Sequence, residues 1–370
     1  MDWITHAAVG AAVGEIMLGK RIGNPALAWG ALVGIAPDLL DSMVGLFLST
    51  TATLAFQSGA THSLPFAGLL AFIVPRWLAP QWKRAKVTVP QIRWFIAAVW
   101  VAHLLAACLS NPGVQAYWPI PAPRLCFNLL GTGDALPGIL LGLALIALAF
   151  LRTKKQQAKR RRLWWWGVGL SGGYLGLALM AKWAASTGFA ADLARRGVVP
   201  ERRMESPTPW NLLLWRGLVD RGDEIWVGSR TVFEWHSTPV RWTVFPRERA
   251  AFANHADAPE ARRIAAYTNG WWLARPNKTG LWLADLRSGE SRVWGDRKGM
   301  VDLRLNHAWH FEPLTTGDPV HAIRPLPRNP GEATTRLLRR TLLGQRDAWE
   351  ATPRLAGVPG ALPELLLTED

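Results

Sequence analysis

The sequence predicts an α-helical polytopic membrane bundle followed by a mixed, mainly β extramembrane domain. Of its 370 residues, 49% are hydrophobic and only 19% charged, and the apolar ones gather in residues 1–185. Six apolar runs lie there, and several approach or exceed the ~20 residues that cross a bilayer. From about Ser206 the pattern shortens to strand-like runs. The expected organisation is a membrane helical domain over 1–185, a linker over 186–205, a β-rich extramembrane domain over 206–325 and a basic helical, proline-containing tail over 326–370.

The runs are Ile4–Leu18, Ala26–Leu48, Ser63–Ala79, Ile92–Leu109, Ala135–Leu151 and Leu163–Trp183. The first is short and amphipathic, which fits either a tilted span or a re-entrant helix. Lys20 and Arg21 follow it; Lys83, Arg84, Lys86 and Arg93 lie around the start of the fourth; Arg152 to Arg162 is a basic stretch before the sixth. Residues 49–62 hold no Lys or Arg, and 110–134 hold only Arg124. Basic loops stay in the cytoplasm, so six crossings put the N-terminus and the C-terminal domain outside. Trp164-Trp165-Trp166 opens the sixth run, where tryptophan anchors a span at headgroup level.

In the second half, Glu224–Arg230, Thr231–His236, Val240–Phe245, Gly270–Arg275, Gly280–Leu286 and Val301–Phe311 read as strands, rich in Val, Trp, Phe and Thr. Arg275 to Gly280 reads as a hairpin loop. Thr334–Gln345 is a basic helical piece.

The formal net charge of +15 raises nucleic acid as a partner. No nucleic-acid module accompanies it, and the basic loops account for much of it, so no nucleic-acid partner is expected. The expected partner is the lipid bilayer. No cleavable signal peptide is read, because Asp2, His6 and Glu15 interrupt the first run. Cys108 and Cys126 form no CxxC motif and read either as unrelated buried thiols or, if both face an oxidising compartment, as a single disulfide. Transport is disfavoured by the lack of repeated halves.

Ionisable side chains inside membrane-length segments are costly and mark function. Asp38 and Asp41 interrupt the second run and His103 the fourth; His6 stands near the start of the first, and Thr61-His62-Ser63 precedes the third. By the alternating helix directions, all of them fall toward the outer side. Asp38 and Asp41, three apart, share a helix face. The competing reading makes Asp38 the N-cap of a helix that follows a loop. His62 reads either as an interfacial histidine or as a ligand, and His103 either as a core histidine bonded to a carbonyl or as a ligand. Asp with His suits zinc or manganese, and magnesium where carboxylates dominate. Glu15 is expected to pair with Lys20 or Arg21.

The opening Met1-Asp2-Trp3-Ile4-Thr5-His6, then Gly10 to Glu15, Leu18-Gly19-Lys20, Ala36-Pro37-Asp38, Thr61-His62-Ser63 and the His103 helix resemble the YdjM-like family of predicted inner-membrane metal-dependent hydrolases. Ala181-Lys182-Trp183 and Pro207 to Arg216 look like that family's long form, which carries a C-terminal domain. The His and Pro-Asp motifs also look like those of zinc-dependent phospholipase C proteins. The resemblance implies a multi-pass protein of the bacterial inner membrane with a periplasmic C-terminal domain. It also implies hydrolysis of an ester or phosphoester, a lipid among them, with a divalent metal at Asp38, His62, His103 and His6 and with Asp41 as a catalytic base. The chain departs from the family's pattern at four places. Leu40 stands at the second Asp of Pro-Asp-x-Asp, with Asp41 after it. Gln57-Ser58-Gly59 replaces His-Arg-Gly, Ala107 replaces the Asp one turn after His103, and Asp134-Ala135 replaces Asp-Pro. Those losses imply a silent relative as the alternative, a membrane-anchored binding or scaffold protein.

Overall fold

The computed structural model describes residues 2–151, 156–277, 280–294, 301–305, 307–311, 320–323 and 330–350. The chain forms two compact units, Met1–Leu48 with Ala55–Ala178, and Ser49–Leu54 with Leu179–Asp370.

The first unit is helical. Helix α1 spans Trp3–Ile22 and starts where the Asp2 carboxylate accepts the Thr5 amide at 2.8 Å, an N-cap that satisfies one orphan donor. It ends at Gly23, whose φ of +64° suits glycine. Helix α2, Pro25–Gly45, begins at once with proline in its first turn, so the two helices form an antiparallel hairpin. Helix α3 spans Thr50–Phe56, and a single 3-10 turn, Ala60–His62, leads into α4, Leu64–Leu78. Ser63 caps α4 by accepting the Phe66 amide. Helices α5 (Val89–Ala107), α6 (Leu136–Ala149) and α7 (Gln157–Arg195) follow.

The α1–α2 pairing is set by small residues one helical turn apart. A Cβ on Gly10 would lie 2.2 Å from the Gly30 carbonyl oxygen, one on Gly14 2.1 Å from that of Ala26, and one on Gly34 2.5 Å from that of His6. Small residues at i, i+4 let backbones approach this closely. The row 6-10-14 on α1 therefore runs against 26-30-34-38 on α2. Helix α5 buries Ile92, Phe95, Ile96 and Val99 against Leu18, Ala26, Ala71 and Leu78, and His103 continues that buried stripe.

Helices α2 and α5 are long and apolar enough to cross a membrane, and the bent pair Thr50–His62 with Leu64–Leu78, broken by 57°, is a third candidate. Helix α6, at 14 residues, is about 21 Å long. Asp38 lies inside α2, not at a helix start. Glu15 pairs with neither Lys20 nor Arg21: Arg160 of α7 grips both its oxygens at 3.0 and 2.7 Å. Cys108 is buried, and Cys126 is only partly so, its thiol donating to the Asn128 side-chain oxygen at 3.1 Å.

The second unit is layered. Strands β1 (Arg202–Pro207), β2 (Leu214–Asp220), β3 (Glu224–Thr231) and β4 (Trp242–Pro246) form an antiparallel meander with Leu218 opposite Val227. From Leu179 onward, α7 belongs to this unit and lays Ala185, Phe189 and Leu193 on Trp215, Val219, Trp226 and Trp242. The other face, Met204, Leu218, Ile225 and Val227, packs on Leu273, Trp282 and Ala284 of a second sheet. That sheet joins β5 (Trp272–Asn277), β6 (Gly280–Asp285), β9 (Ala308–Phe311) and β10 (Val320–Ile323) in the order β10-β9-β6-β5. Beyond α8 (Arg249–Ala253), helix α9 (Pro259–Tyr267) covers its far side through Ala261, Ile264 and Tyr267. Strands β7 (Glu290–Trp294) and β8 (Val301–Leu305) pair separately, and α10 (Pro330–Leu343) and α11 (Arg346–Trp349) follow.

Several expectations change. Residues 186–195 of the expected linker continue α7. Thr231–His236 is no strand: β3 ends at Thr231, and buried Arg230 gathers the carbonyls of Glu234 and Trp235 into a turn. Val301–Phe311 is two strands rather than one. The tip of the 275–280 loop, residues 278–279, and the tail after Glu350 lie outside the described residues.

Candidate metal centre

The helix rows that pack through glycine end in two functional side chains. His6 lies one turn before Gly10 and Asp38 one turn after Gly34, so the close α1–α2 approach brings them together. The His6 Nδ1 is 2.6 Å from an Asp38 oxygen. His103 reaches the same place from α5, its Nδ1 2.7 Å from the Gly34 carbonyl oxygen. A carbonyl only accepts, so Nδ1 carries the proton and Nε2 presents a lone pair. In a neutral His6 ring, the same logic at Asp38 leaves a lone pair on Nε2. Both Nε2 atoms are buried without a hydrogen-bond partner, although His6 and His103 are only 2% and 1% exposed. The two rings lie 3.9 Å apart, centroid to centroid.

Buried polar atoms are nearly always paired, so two orphans side by side call for an explanation. His6, Asp38 and His103 each offer one ligand atom, and these atoms lie within 4.8 Å of one another. Two imidazole lone pairs and a carboxylate match a divalent metal's demand. The Gly34 carbonyl on the far side of the His103 ring is the partner that fixes a metal-binding tautomer. The residues present therefore fit a metal ion.

His62, expected as a ligand, is placed differently. Its Nε2 is 3.3 Å from an Asp38 oxygen, and its Nδ1 is 3.2 Å from Asp41 and 3.0 Å from the Thr61 hydroxyl. Both nitrogens thus face oxygen partners, and His62 bridges two carboxylates. Asp41, expected as a base, accepts the Ser58 amide at 2.7 Å and the Thr61 hydroxyl as well. All five sequence-selected residues meet in one cluster, but only His6, Asp38 and His103 converge as a potential metal set. Asp134, which stands where the Asp-Pro motif is altered, is outside it: its oxygens accept the Leu136 amide at 3.1 Å and the Tyr174 hydroxyl at 2.6 Å.

Sequence reasoning missed the supports. Ser58, with φ of +51°, and Thr61 hold Asp41, while the Trp100 indole donates to the Thr61 carbonyl at 2.9 Å. Ser58 occupies the altered Gln57-Ser58-Gly59 segment, so only its unusual composition hinted at a role. The Gly10, Gly30 and Gly34 spacing was a usable signal for the His6–Asp38 approach.

A family model described as YdjM inner membrane protein matches residues 1–185, half of the chain. The chain belongs to the YdjM inner membrane protein family. Every cluster residue lies inside the matched half. No curated protein and no solved structure matches the chain. As a member of the YdjM family it is a membrane protein, and its matched half contains the two helices that, among the described residues, are long and apolar enough to span.

Proposed function

We propose that the protein is a membrane-bound, metal-dependent hydrolase acting on an ester or phosphoester at the outer face of the inner membrane. Six crossings and a periplasmic β-rich domain complete this reading, supported by the basic loops of the sequence. The observation that carries it is the group His6, Asp38 and His103, whose ligand atoms lie within 4.8 Å of one another, with a buried, partnerless Nε2 on each histidine. These three residues would hold a divalent metal, zinc or manganese by donor chemistry. When bound, such an ion acts as a Lewis acid toward a phosphoryl or ester oxygen and raises the acidity of water.

The chain's own groups supply the rest. The Gly34 carbonyl keeps the His103 proton on Nδ1. Asp41, fixed by Ser58 and Thr61, orients His62 from its Nδ1 side. That leaves His62 Nε2, beside Asp38, as the atom that passes a proton at the site. Asp41 then serves catalysis through His62. Burial of the three histidines excludes bulk water, which strengthens each interaction.

Metal analysis of the purified full chain tests the reading, together with hydrolysis of a chromogenic phosphodiester and of a carboxylic ester. One equivalent of zinc or manganese is expected, with turnover lost in His103→Ala and Asp38→Asn. A protein that binds no transition metal, and whose His103→Ala variant keeps any turnover found, leaves the scaffold reading in place.

A further inference from the structure

We propose that the β-rich unit docks on the lipid bilayer through three aromatic side chains, Trp210, Phe233 and Trp235. The proposal rests on the reading that the sixth apolar run, within α7, enters the membrane. The three side chains are 64%, 67% and 81% exposed, and they stand on two adjoining loops. Those loops, residues 208–213 and 232–238, are joined by the Val232 amide donating to the Leu213 carbonyl at 2.9 Å. Single exposed apolar side chains are ordinary; a grouped set marks an interaction surface.

The loops are built to present these residues. Arg230, 1% exposed, donates to the carbonyls of Glu234 and Trp235 at 2.6 Å each and to that of Thr238 at 3.3 Å. The Glu234 carboxylate, between the two aromatics, is pinned inward by Arg340 and Arg346 at 3.0 Å each and by the Thr231 amide at 3.0 Å. Phe233 and Trp235 therefore face outward on either side of a fixed acid. On the other loop, the Asn211 side chain accepts the Leu213 amide at 2.7 Å and fixes the turn after Trp210.

The occupant follows from what the loop touches. His236, next to Trp235, has a ring nitrogen 3.0 Å from the Thr187 hydroxyl of α7, and Arg195 donates to the His236 carbonyl at 2.7 Å. Thr187 also bonds the carbonyl of Trp183, one turn earlier. Trp183, Met180 and Leu179 on that side are 69%, 60% and 61% exposed and close the apolar run. The aromatic loop thus sits within about one helical turn, roughly 6 Å, of the end of that run. Tryptophan at that level matches the headgroup region, which takes an apolar body with a polar edge, and Phe233 adds apolar area beside it.

The test uses the full chain in vesicles of phosphatidylethanolamine and phosphatidylglycerol, with Cys108→Ser and Cys126→Ser. An environment-sensitive fluorophore is attached to Trp235→Cys, Trp183→Cys or Arg221→Cys in turn. Arg221 lies in the β2–β3 turn at the opposite end of the meander. Nitroxide-bearing lipids with shallow labels should quench the 235 probe about as strongly as the 183 probe and leave the 221 probe bright. Quenching at 183 with none at 235 overturns the docking and spares the helix reading. Quenching at neither removes both. A 235 probe unquenched by lipid yet shielded from aqueous iodide also overturns it, because protein then covers the loop.

Discussion

Among the described residues of the helical unit, the Glu15–Arg160 cluster and the His6–Asp38–His103 cluster are both largely buried, and their polar atoms differ in what surrounds them. At one, Arg160 bonds both Glu15 oxygens, the Asn24 side chain at 2.7 Å and the Leu151 carbonyl at 2.6 Å, while Asn24 donates to the Ala149 carbonyl at 2.6 Å. At the other, His6 and His103 each keep one nitrogen bonded and one bare. The first cluster is complete and ties α1 and α2 to α7. The second is complete only if something else occupies it. Buried charge thus signals a site when its partners run short, and a brace when they do not.

Breaking the brace should have the largest effect on stability. Arg160→Met leaves the Glu15 carboxylate buried and unpaired, and removing one partner of a buried pair costs about 3–5 kcal/mol. The double variant Glu15→Leu with Arg160→Met should recover most of that loss. Detergent-solubilised unfolding of the three proteins measures it, and a double variant as unstable as the single one contradicts the brace reading.

Next in size is the glycine contact that aligns the second cluster. Gly10→Ala drives a methyl toward the Gly30 carbonyl oxygen, and overpacking of this kind costs about 1–3 kcal/mol. It should also weaken metal binding, because His6 rides on the displaced helix. Gly68→Ala on α4, where a Cβ meets nothing within 4 Å, should instead be neutral or stabilise by about 0.5–1 kcal/mol. Unfolding and metal titration on the same samples separate the two outcomes.

Much of the helical half was legible, because apolar runs interrupted by acids and histidines have few soluble explanations. What could not be read was the state of each ring nitrogen, which depends on the Gly34 carbonyl brought in from another helix. In the second half, β1 and β2 hid behind charge. Arg216 sits buried mid-strand and donates to the Leu286 carbonyl at 2.7 Å, a partner 70 residues away. The error ran the other way at Phe233 and Trp235. Their alternation imitates a strand, but the clamp of Arg230 turns the chain there. Local pattern reports which side chains share a face, and long-range hydrogen bonds decide what that face does.

The histidine cluster should respond to substitution in binding more than in stability. His103→Asn retains a side-chain donor for the Gly34 carbonyl and deletes the bare nitrogen. The metal-free protein should then unfold within about 1 kcal/mol of the parent, the order of one hydrogen bond, while zinc or manganese content falls to background. Equal metal content in the variant and the parent would place the ion elsewhere.

The smallest effect belongs to Asp192, a complete cluster in the second unit. Burial alone would raise its carboxyl, but Arg196, the Trp242 indole and the Val240 amide hold it below the ordinary 3.8. A carboxyl lowered on folding adds stability that is present above its unfolded value and lost as pH falls through the folded one. Stability should therefore be flat in this term from neutral pH down to about 4 and fall only in stronger acid. Arg195 and Arg196 are partly solvent-exposed, and screening limits what the pair contributes. Asp192→Asn should flatten that acid limb, read by tryptophan fluorescence, and leave metal content unchanged. A change in metal content would mean that complete and incomplete clusters are coupled, and the distinction drawn between them would fail.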